Sequence, residues 1–404
     1  MDIPNLDKWA RIKGIQVLAT GDFTHPEWLK HIKEKLEPAE QGLFRLKEIY
    51  KQNNHQNGKE DPRFMLVTEI SSIYSKAGKT RKIHSLIFLP NLEAVEKFNV
   101  QLGWVGNLKS DGRPILGLDV IELLKITLDA SPNGLLIPAH AWTPWFSVFG
   151  SRSGFNSLEE AFGPLADNIY AIETGLSSDP LMNWRLSGLD RITLISNSDA
   201  HSPRKLGREA NVLDTDLNYQ SIIGTIKSGD PKKFLYTIEF FPEEGKYHYD
   251  GHRLCNIFLN PTESRKYKGI CPKCGKPLTL GVAYRVEELA DRVEGFRPEN
   301  KPGYRSLIPL EEIIAEKLKQ GVGTKAVEKE YKELIQIFGS EFSLLLDASL
   351  EEIESQANHE IAEAIKKVRE GNLKIRPGYD GVFGEIKIFG EEERKTIANQ
   401  KTLF

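Results

Sequence analysis

The chain has 404 residues, of which 40% are hydrophobic and 27% charged, and its net charge is −3 at pH 7. These values are typical of a globular protein with two or three domains, and the near-neutral charge excludes a generally basic nucleic-acid-binding protein. No run of about eighteen apolar residues predicts a membrane span, and no signal peptide is visible, so we expect a cytoplasmic protein without a membrane partner.

The first part of the chain alternates short apolar β-type runs with helical stretches, which is typical of a parallel βα architecture. Strands are predicted at Gly14–Thr20, Phe64–Ile70, Ile83–Leu89, Gly134–Ala139, Asn168–Glu173, Arg191–Ser196 and Phe234–Phe240. Helices are predicted between them, for example at Leu92–Leu102, Val120–Asp129 and Asn218–Lys227. A break rich in Pro, Gly and Tyr follows. We therefore predict a first domain over 1–243, a Cys/His module over 244–295, a mainly helical region over 296–390 and a flexible tail over 391–404.

Metal-binding residue types recur where the predicted strands end. These positions are Asp22 and His25, Glu69, His140, Glu173, and Asp199 with His201. Because active sites in parallel βα folds gather at the carboxyl ends of the strands, we expect these side chains to converge on one rim. Histidine and carboxylate ligands together suit zinc, manganese or iron better than magnesium alone. The pattern predicts a multinuclear metal site, although any one residue, Glu173 in particular, could be only a helix cap.

The order Asp22, His25, Glu69, His84, His140 and Asp199-x-His201 resembles the metal motifs of the PHP (polymerase and histidinol phosphatase) family. Longer stretches resemble one branch of it, the endonuclease Q family, over most of residues 10–295. They include "TGDFTHPEWL", "GNLKSDGRPILGLD", "IPAHAWTPWFSVFGSRSGFNSLEEAFG" and "SNSDAHSP". PHP proteins hydrolyse phosphoesters with a trinuclear metal cluster, and the endonuclease Q branch cuts DNA on the 5′ side of deaminated or abasic nucleotides.

The resemblance implies an α/β fold with a distorted βα (TIM-like) barrel of the PHP type, followed by a small zinc-binding module and a mainly helical C-terminal region. It implies that zinc, manganese or magnesium ions form a catalytic cluster on Asp22, Glu69, His84, His140, Asp199 and His201. Glu69 would bridge two ions, Asp22 would be catalytic, and His25 would be a ligand or the proton donor to the leaving oxygen. The family's opening His-x-His motif is absent, and we expect the segment that carries it to precede Met1 in a longer form of the chain.

Residues around His140 suggest contacts to DNA. Trp142 and Trp145 could form a platform for an unstacked base or could belong to the core. Phosphate contacts are predicted for Lys79, Arg81, Ser151, Arg152, Ser153 and Arg204, with exposed solubilising charge as the alternative for the basic residues.

The three cysteines of the chain fall within a short segment. His252-x2-Cys255 and Cys271-x2-Cys274 have the spacing of a four-ligand zinc ribbon, and four protein ligands would make this zinc structural. His248 is an alternative fourth ligand that suits the spacing less well.

The chain ends in "NQKTLF", in which Gln400, Leu403 and Phe404 resemble the start of the motif that docks repair proteins onto a sliding clamp. The function favoured by the sequence is a DNA-repair endonuclease acting on damaged DNA. The alternatives are a PHP phosphoesterase acting on a small phosphorylated metabolite, and a non-catalytic PHP module recruited to a DNA helicase or sliding clamp.

Overall fold

A computed structural model describes residues 2–51, 61–110 and 112–390. The tail predicted over 391–404, including Gln400, Leu403 and Phe404, lies outside these residues. The strands are β1 Val17–Ala19, β2 Leu36–Pro38, β3 Phe44–Leu46, β4 Arg63–Lys76, β5 Lys79–Leu89, β6 Ile115–Leu116, β7 Leu135–Pro138, β8 Ala171–Glu173, β9 Thr193–Ile195, β10 Ala210–Leu213, β11 Phe234–Glu239, β12 Asp250–His252, β13 Ile257–Leu259, β14 Gly303–Ser306, β15 Lys374–Arg376 and β16 Glu385–Lys387.

The α-helices alternate with these strands in the first part of the chain and predominate after β14. They are α1 Ile3–Lys13, α2 Pro26–Lys35, α3 Leu92–Val105, α4 Val120–Ala130, α5 Leu158–Phe162, α6 Pro180–Asn183, α7 Tyr219–Ser228, α8 Pro261–Lys266, α9 Val282–Leu289, α10 Leu310–Leu318, α11 Lys325–Phe338, α12 Leu350–Gln356 and α13 His359–Glu370. No helix in the described ranges is long and apolar enough to cross a membrane.

The largest sheet is built around a long hairpin of β4 and β5. The two strands pair antiparallel from Leu66 opposite Leu89 to Lys76 opposite Lys79. The turn residues Ala77 and Gly78 have φ of 51° and 72°. Positive φ at both central residues is the hairpin turn whose twist matches that of the strands. The expectation of a parallel βα architecture is therefore wrong for this sheet, which is mixed: β1 and β6 run parallel to β4, while β3 and β5 run antiparallel to it.

The α/β class and the mainly helical C-terminal region are confirmed. The hydrogen-bonded ladders of the described residues form a seven-stranded sheet, a separate β8–β9 pair, a β10–β11–β14 sheet and two further hairpins. Closure into a TIM-like barrel stays a prediction, because no ladder joins β7 to β8 or β9 to β10 within the described ranges. Single hydrogen bonds connect these edges, including one from Ala141 N to Glu173 O at 2.9 Å.

Separate hydrophobic cores lie under the first sheet and among the C-terminal helices. Helix α13 illustrates the second: it begins after Asn358, whose side chain accepts a hydrogen bond from Ile361 N, and ends at Gly371 with φ of 67°. Ile361, Ile365 and Val368 repeat at helical spacing and are buried, which packs one face of α13 into that core. The pattern of charged residues and periodic isoleucines is thus an amphipathic helix.

The predicted domain boundaries are crossed by tertiary contacts. Strand β14 pairs parallel with β11, although the boundary predicted at residue 295 separates them. Val282 and Val286 of α9 pack in the first core. The first domain also contacts the helical region: Lys13 Nζ lies 2.5 Å from Glu341 Oε2, and both side chains are buried. The boundaries at 243 and 295 therefore remain predictions about sequence segments that share cores.

Candidate metal centre

Glu69 and His84 face the same side of the β4–β5 hairpin. Glu69 pairs with Leu86 and His84 pairs with Ser71, so the two residues are diagonal neighbours on one face of the ladder. His84 Nδ1 lies 3.0 Å from Glu69 Oε1. Glu69 is therefore in the middle of a strand, and the hairpin rather than a strand end brings it to the site.

His140 joins these two residues from the loop after β7. Its Nε2 lies 3.0 Å from His84 Nδ1 and 3.5 Å from Glu69 Oε1. One ligand atom from each of the three side chains falls within 4.8 Å of the others, which is a grouping that could hold a metal ion. The donor set of one carboxylate and two imidazoles fits zinc or manganese.

Burial and hydrogen bonding act in opposite directions on these side chains. Burial would raise the pKa of Glu69, but hydrogen bonds to His140 and His84, with the positive charge of Arg113, hold it well below its usual range. Burial lowers the pKa of His84. Burial would also lower the pKa of His140, but the hydrogen bond to Glu69 and its charge outweigh burial and raise it. The carboxylate is thus ionised and available to a cation.

Glu173 fixes the position of His140. His140 has φ of 30°, an uncommon conformation for a non-glycine residue, and its backbone N–H donates to Glu173 Oε2 at 2.7 Å. Asn197 donates to the other oxygen, Oε1, at 2.8 Å. Glu173 is not a helix cap: it is a buried carboxylate at the end of β8, and burial raises its pKa to about 7.

The remaining predicted ligands lie at the rim of this cluster. Asp22 and Asp199 share with His140 a positive φ, of 37° and 42° respectively. Such backbone conformations concentrate at functional sites. Burial and the charge of Glu69 raise the pKa of Asp22, while Arg113, His25 and His201 lower it, so all of these groups lie close enough to interact. Within the described residues, however, the group of ligand atoms within 4.8 Å contains only Glu69, His84 and His140.

The Asp199–His201 loop is held mainly by its backbone. Arg208 donates to the carbonyl oxygens of Ser198 and Asp199 at 2.8 and 3.2 Å. The His201 ring lies in the same loop, with Nδ1 3.0 Å from Asp199 O, and is exposed. Ligand roles for Asp22, Asp199 and His201 therefore stay predictions. The role of His25 also stays a prediction: it is the N-cap residue of α2, but its side chain makes no capping hydrogen bond.

Arg113 is a site residue that sequence reasoning missed. Its Nη1 lies 2.6 Å from Glu69 Oε1 and 2.5 Å from His84 Nδ1. It belongs to the "KSDGRP" segment, where the preceding residues resemble an exposed polar loop. The one signal in the sequence was an arginine followed by a proline, Arg113-Pro114. In the structure, the carbonyl oxygen of Pro114 accepts a hydrogen bond from Ser71 N on β4, which brings this segment to the hairpin.

The second candidate metal group is the one predicted in the Cys/His module. Ligand atoms of His252, Cys255, Cys271 and Cys274 all lie within 4.8 Å of one another. The knuckle is closed by Gly275, which has φ of 70° and donates its N–H to Cys271 O at 2.9 Å. His248 is outside the group: it is buried and stacks on Tyr249. The His/Cys3 arrangement is that of a structural zinc site, and the identity of the metal stays a prediction.

Three of the side chains predicted to contact DNA are buried in the protein interior. Trp142 is fully buried and donates from Nε1 to Asn183 Oδ1 at 2.7 Å, so its ring belongs to the core. The Arg81 guanidinium donates to Gly154 O and lies 3.9 Å from the centre of the Phe155 ring. Ser153 is buried and bridges Phe146 N and Lys82 O. These side chains have no free face for DNA because the protein uses them to fix the loop after His140.

The other predicted DNA contacts are at the surface. Trp145 is 41% exposed, and Lys79, Ser151 and Arg152 are exposed. Arg204 is half exposed but ion-paired with Glu311 at 3.2 Å on the C-terminal region. Contacts from these residues to DNA stay predictions.

Arg285 was also missed by sequence reasoning. This buried residue on α9 donates to Phe149 O at 3.0 Å, Phe155 O at 3.1 Å and Asn156 Oδ1 at 2.8 Å. The same loop carries Phe146, whose ring lies 4.7 Å from that of His84. The helix of the Cys/His module therefore anchors the loop that covers the metal centre.

Comparison with known proteins gives matches along the whole chain. Residues 309–372 match the family model of the MJ0043 C-terminal domain. The chain is 35% identical over 305 residues to the uncharacterised protein MJ0043 of Methanocaldococcus jannaschii, a match that covers 72% of this chain and 37% of that relative's length. It is 30% identical over 381 residues to the uncharacterised protein YqxK of Bacillus subtilis, covering 93% of this chain and 89% of YqxK.

Solved structures match over nearly the full length. The lesion-specific endonuclease PfuEndoQ from Pyrococcus furiosus is 32% identical, with a TM-score of 0.83 over 98% of this chain and 92% of that one. Endonuclease Q in complex with a 27-mer duplex that carries an abasic lesion at the active site is also 32% identical, with a TM-score of 0.81 over 97% and 92% of the two chains.

Proposed function

The chain belongs to the endonuclease Q family, and we propose that it is a metal-dependent DNA-repair endonuclease that hydrolyses the phosphodiester bond on the 5′ side of a deaminated or abasic nucleotide. The observation that carries the proposal is the full-length structural likeness to a lesion-specific endonuclease. The grouping of Glu69, His84 and His140 supports it, because this carboxylate and imidazole set suits the metal chemistry of phosphodiester hydrolysis.

Glu69, His84 and His140 would hold the catalytic metal, zinc, manganese or magnesium, with Asp22, Asp199 and His201 as further ligands. When bound, such metal ions lower the pKa of a water molecule towards neutrality and neutralise negative charge on the phosphate. Glu173 holds His140 in its left-handed backbone conformation through the hydrogen bond to its N–H. His25, at the rim, would donate a proton to the leaving oxygen.

The Arg113 guanidinium supplies a fixed positive charge beside Glu69 and His84. The five N–H donors of an arginine form a planar fork that matches the geometry of a phosphate group. Arg113 contacts Glu69 and His84 through Nη1 alone. Its remaining donors can bind phosphate oxygens as charge develops on them in the transition state. Lys79, Ser151 and Arg152 would bind neighbouring phosphates of the DNA backbone.

An enzyme that acts on single damaged nucleotides must take the nucleotide out of the base stack before reading it. The relative with an abasic lesion at its active site supports this substrate class for the present chain. Docking onto a sliding clamp through Gln400, Leu403 and Phe404 and a cytoplasmic location stay predictions from the sequence.

The test is incubation of the protein with a labelled duplex that contains one deoxyuridine, deoxyinosine or abasic site, in buffers containing manganese, magnesium or zinc. We expect a nick on the 5′ side of the lesion and none in the undamaged duplex. The variant E69Q should bind the same DNA and fail to cut it. Release of phosphate from small phosphomonoesters without any lesion-dependent nicking would instead identify a metabolite phosphoesterase and refute the proposal.

A further inference from the structure

A row of aromatic rings leaves the metal centre along the loop after His140. Thr143 Oγ1 lies 3.1 Å from His140 Nδ1 and donates to Trp145 O at 2.8 Å, which fixes Trp145 next to the cluster. The Trp145 ring is edge-on to Tyr247, with ring centres 5.8 Å apart. Trp145 is 41% exposed, whereas Trp142 of the same loop is fully buried. Only one of these two tryptophans therefore offers a ring face to a ligand.

The row continues onto the β15–β16 hairpin of the C-terminal region. Gly381 N donates to Lys246 O at 3.0 Å, which joins the hairpin turn to the segment that carries Tyr247. Phe383 follows in this turn and is 68% exposed. Lys246 Nζ lies 4.6 Å from the centre of the Phe383 ring. Although Lys246 lies over one face of the ring, most of the Phe383 side chain is open to a ligand.

Positive charge accompanies the rings. Lys246 and Arg253 are exposed, and neither forms an ion pair with a described residue. The nearby carboxylate of Asp380 is already engaged: it accepts hydrogen bonds from Arg253 N at 2.7 Å and from Thr279 Oγ1 at 2.7 Å. The surface thus alternates aromatic faces with unpaired cations.

We propose that Trp145, Tyr247, Phe383, Lys246 and Arg253 form a track that binds an unpaired segment of DNA next to the lesion. Stacked rings with interspersed cations are the arrangement that binds single strands, because each base has a face to stack and each phosphate a charge to neutralise. Fully paired DNA hides its base faces and gains nothing from exposed rings. This inference rests on the proposed function, because the track begins at the metal centre that is proposed to cut the DNA strand.

The first test measures the affinity of the E69Q protein for a fluorescent twelve-residue oligothymidylate by anisotropy. Further substitution W145A or F383A should weaken binding by about five- to a hundredfold, the range expected for the loss of one base-stacking contact. Both side chains are exposed, so the variants should keep the parent melting temperature. Affinity within twofold of the parent for both variants would overturn the proposal. Equal losses for the oligothymidylate and for a fully paired duplex would overturn the assignment to single strands.

A matched pair of lysine variants tests the charge. Lys246 and Lys227 each lie over an aromatic ring, at 4.6 Å from Phe383 and 5.0 Å from Tyr170 respectively. Tyr170 precedes β8, so Lys227 lies at the opposite end of this strand from Glu173 and the metal centre. K246A should reduce the slope of log affinity against log salt by about one, and K227A should leave it unchanged. Equal slopes for the two variants would refute a phosphate contact at Lys246.

This binding test is independent of catalysis. If the protein with Glu69 intact does not nick any lesion, yet W145A and F383A lower the affinity of E69Q for the single strand, the proposed cleavage is refuted and the proposed track is supported. If the protein with Glu69 intact nicks lesions and W145A and F383A do not change the affinity, the track is refuted and the proposed function is supported.

Discussion

Arg113 and Glu69 are joined by a contact of 2.6 Å between Nη1 and Oε1, and the same nitrogen lies 2.5 Å from His84 Nδ1. The guanidinium therefore contacts two of the three side chains that could hold a metal ion. A permanent cation and a metal ion at one carboxylate repel each other, so Arg113 should lower the affinity for metal while it adds charge that can stabilise the reacting phosphate.

Substitution R113M should separate these two effects. We expect tighter binding of manganese, by about tenfold or more, because the repulsive charge is gone, and slower cleavage of lesion DNA, by roughly a hundred- to a thousandfold, because charge stabilisation of the transition state is lost. Calorimetric titration with manganese and single-turnover cleavage measure the two quantities. R113K should recover part of the cleavage rate.

The matched control is R191M. Arg191 is half exposed, precedes β9 and donates to Ile169 O at 3.0 Å, away from the metal centre. It should change neither quantity. Weaker manganese binding by R113M would show that Arg113 supports the metal site instead of competing with it.

The structure explains which features could be predicted from the sequence. The strands that carry ligands were found because runs of β-branched residues are local signals. The β4–β5 hairpin was missed because its turn is Ala77-Gly78, and alanine at a φ of 51° is not a common turn residue. A long-range pairing such as Arg113 with Glu69 leaves no periodic signal in a single sequence. The four-ligand Cys/His group was predicted fully because its spacing is itself local.

The contrast between Trp142 and Trp145 shows the same limit. They are three residues apart in one loop, yet one is fully buried and the other 41% exposed. Helices and strands impose a period on burial, but an irregular loop does not, so the sequence alone could not decide which ring faces solvent. The decision is made by tertiary contacts such as the hydrogen bond from Trp142 to Asn183.

Zinc at the Cys/His module can be tested through its thiols. All three cysteines of the chain belong to this group, so a thiol reagent reports on it alone. We expect mercurial titration to release one equivalent of zinc and to lower the melting temperature, because metal binding is coupled to folding. H252A should lose this zinc and H248A should retain it. The reverse result would make His248 the fourth ligand.

Substitution R285M tests the anchor between α9 and the loop over the metal centre. It leaves the acceptors Phe149 O and Phe155 O without their buried donor, and we expect a loss of roughly 2–4 kcal/mol in the free energy of unfolding. Hydrogen exchange in residues 144–156 should rise, and the turnover number for lesion cleavage should fall. The control is E288Q: Glu288 is 53% exposed and pairs with Arg285 at 2.5 Å, so its loss should cost less than about 1 kcal/mol. If the R285M variant shows unchanged hydrogen exchange in residues 144–156, the anchoring role of Arg285 is contradicted.

Glu239 should make the free energy of unfolding depend on pH. It is fully buried and accepts hydrogen bonds from Thr174 at 2.9 Å and Ser196 at 3.2 Å, and burial raises its pKa from 4.5 to about 8. Between these two values the folded protein keeps a proton that the unfolded chain releases. The unfolded state then binds fewer protons, so the free energy of unfolding falls as pH rises from about 4.5 to 8.

The neutral variant E239Q should remove the contribution of Glu239 to this slope. In urea unfolding, we expect the stability of E239Q relative to the parent to increase from pH 5 to about pH 8 and then to level off, whatever the cost of the substitution at pH 5. E351Q, at an exposed position of α12, should follow the pH dependence of the parent. Part of the slope will persist in E239Q, because burial also raises the pKa of Glu209. Parallel curves for E239Q and the parent would mean that Glu239 is ionised in the folded protein, and its hydroxyl partners would then be stabilising a buried charge.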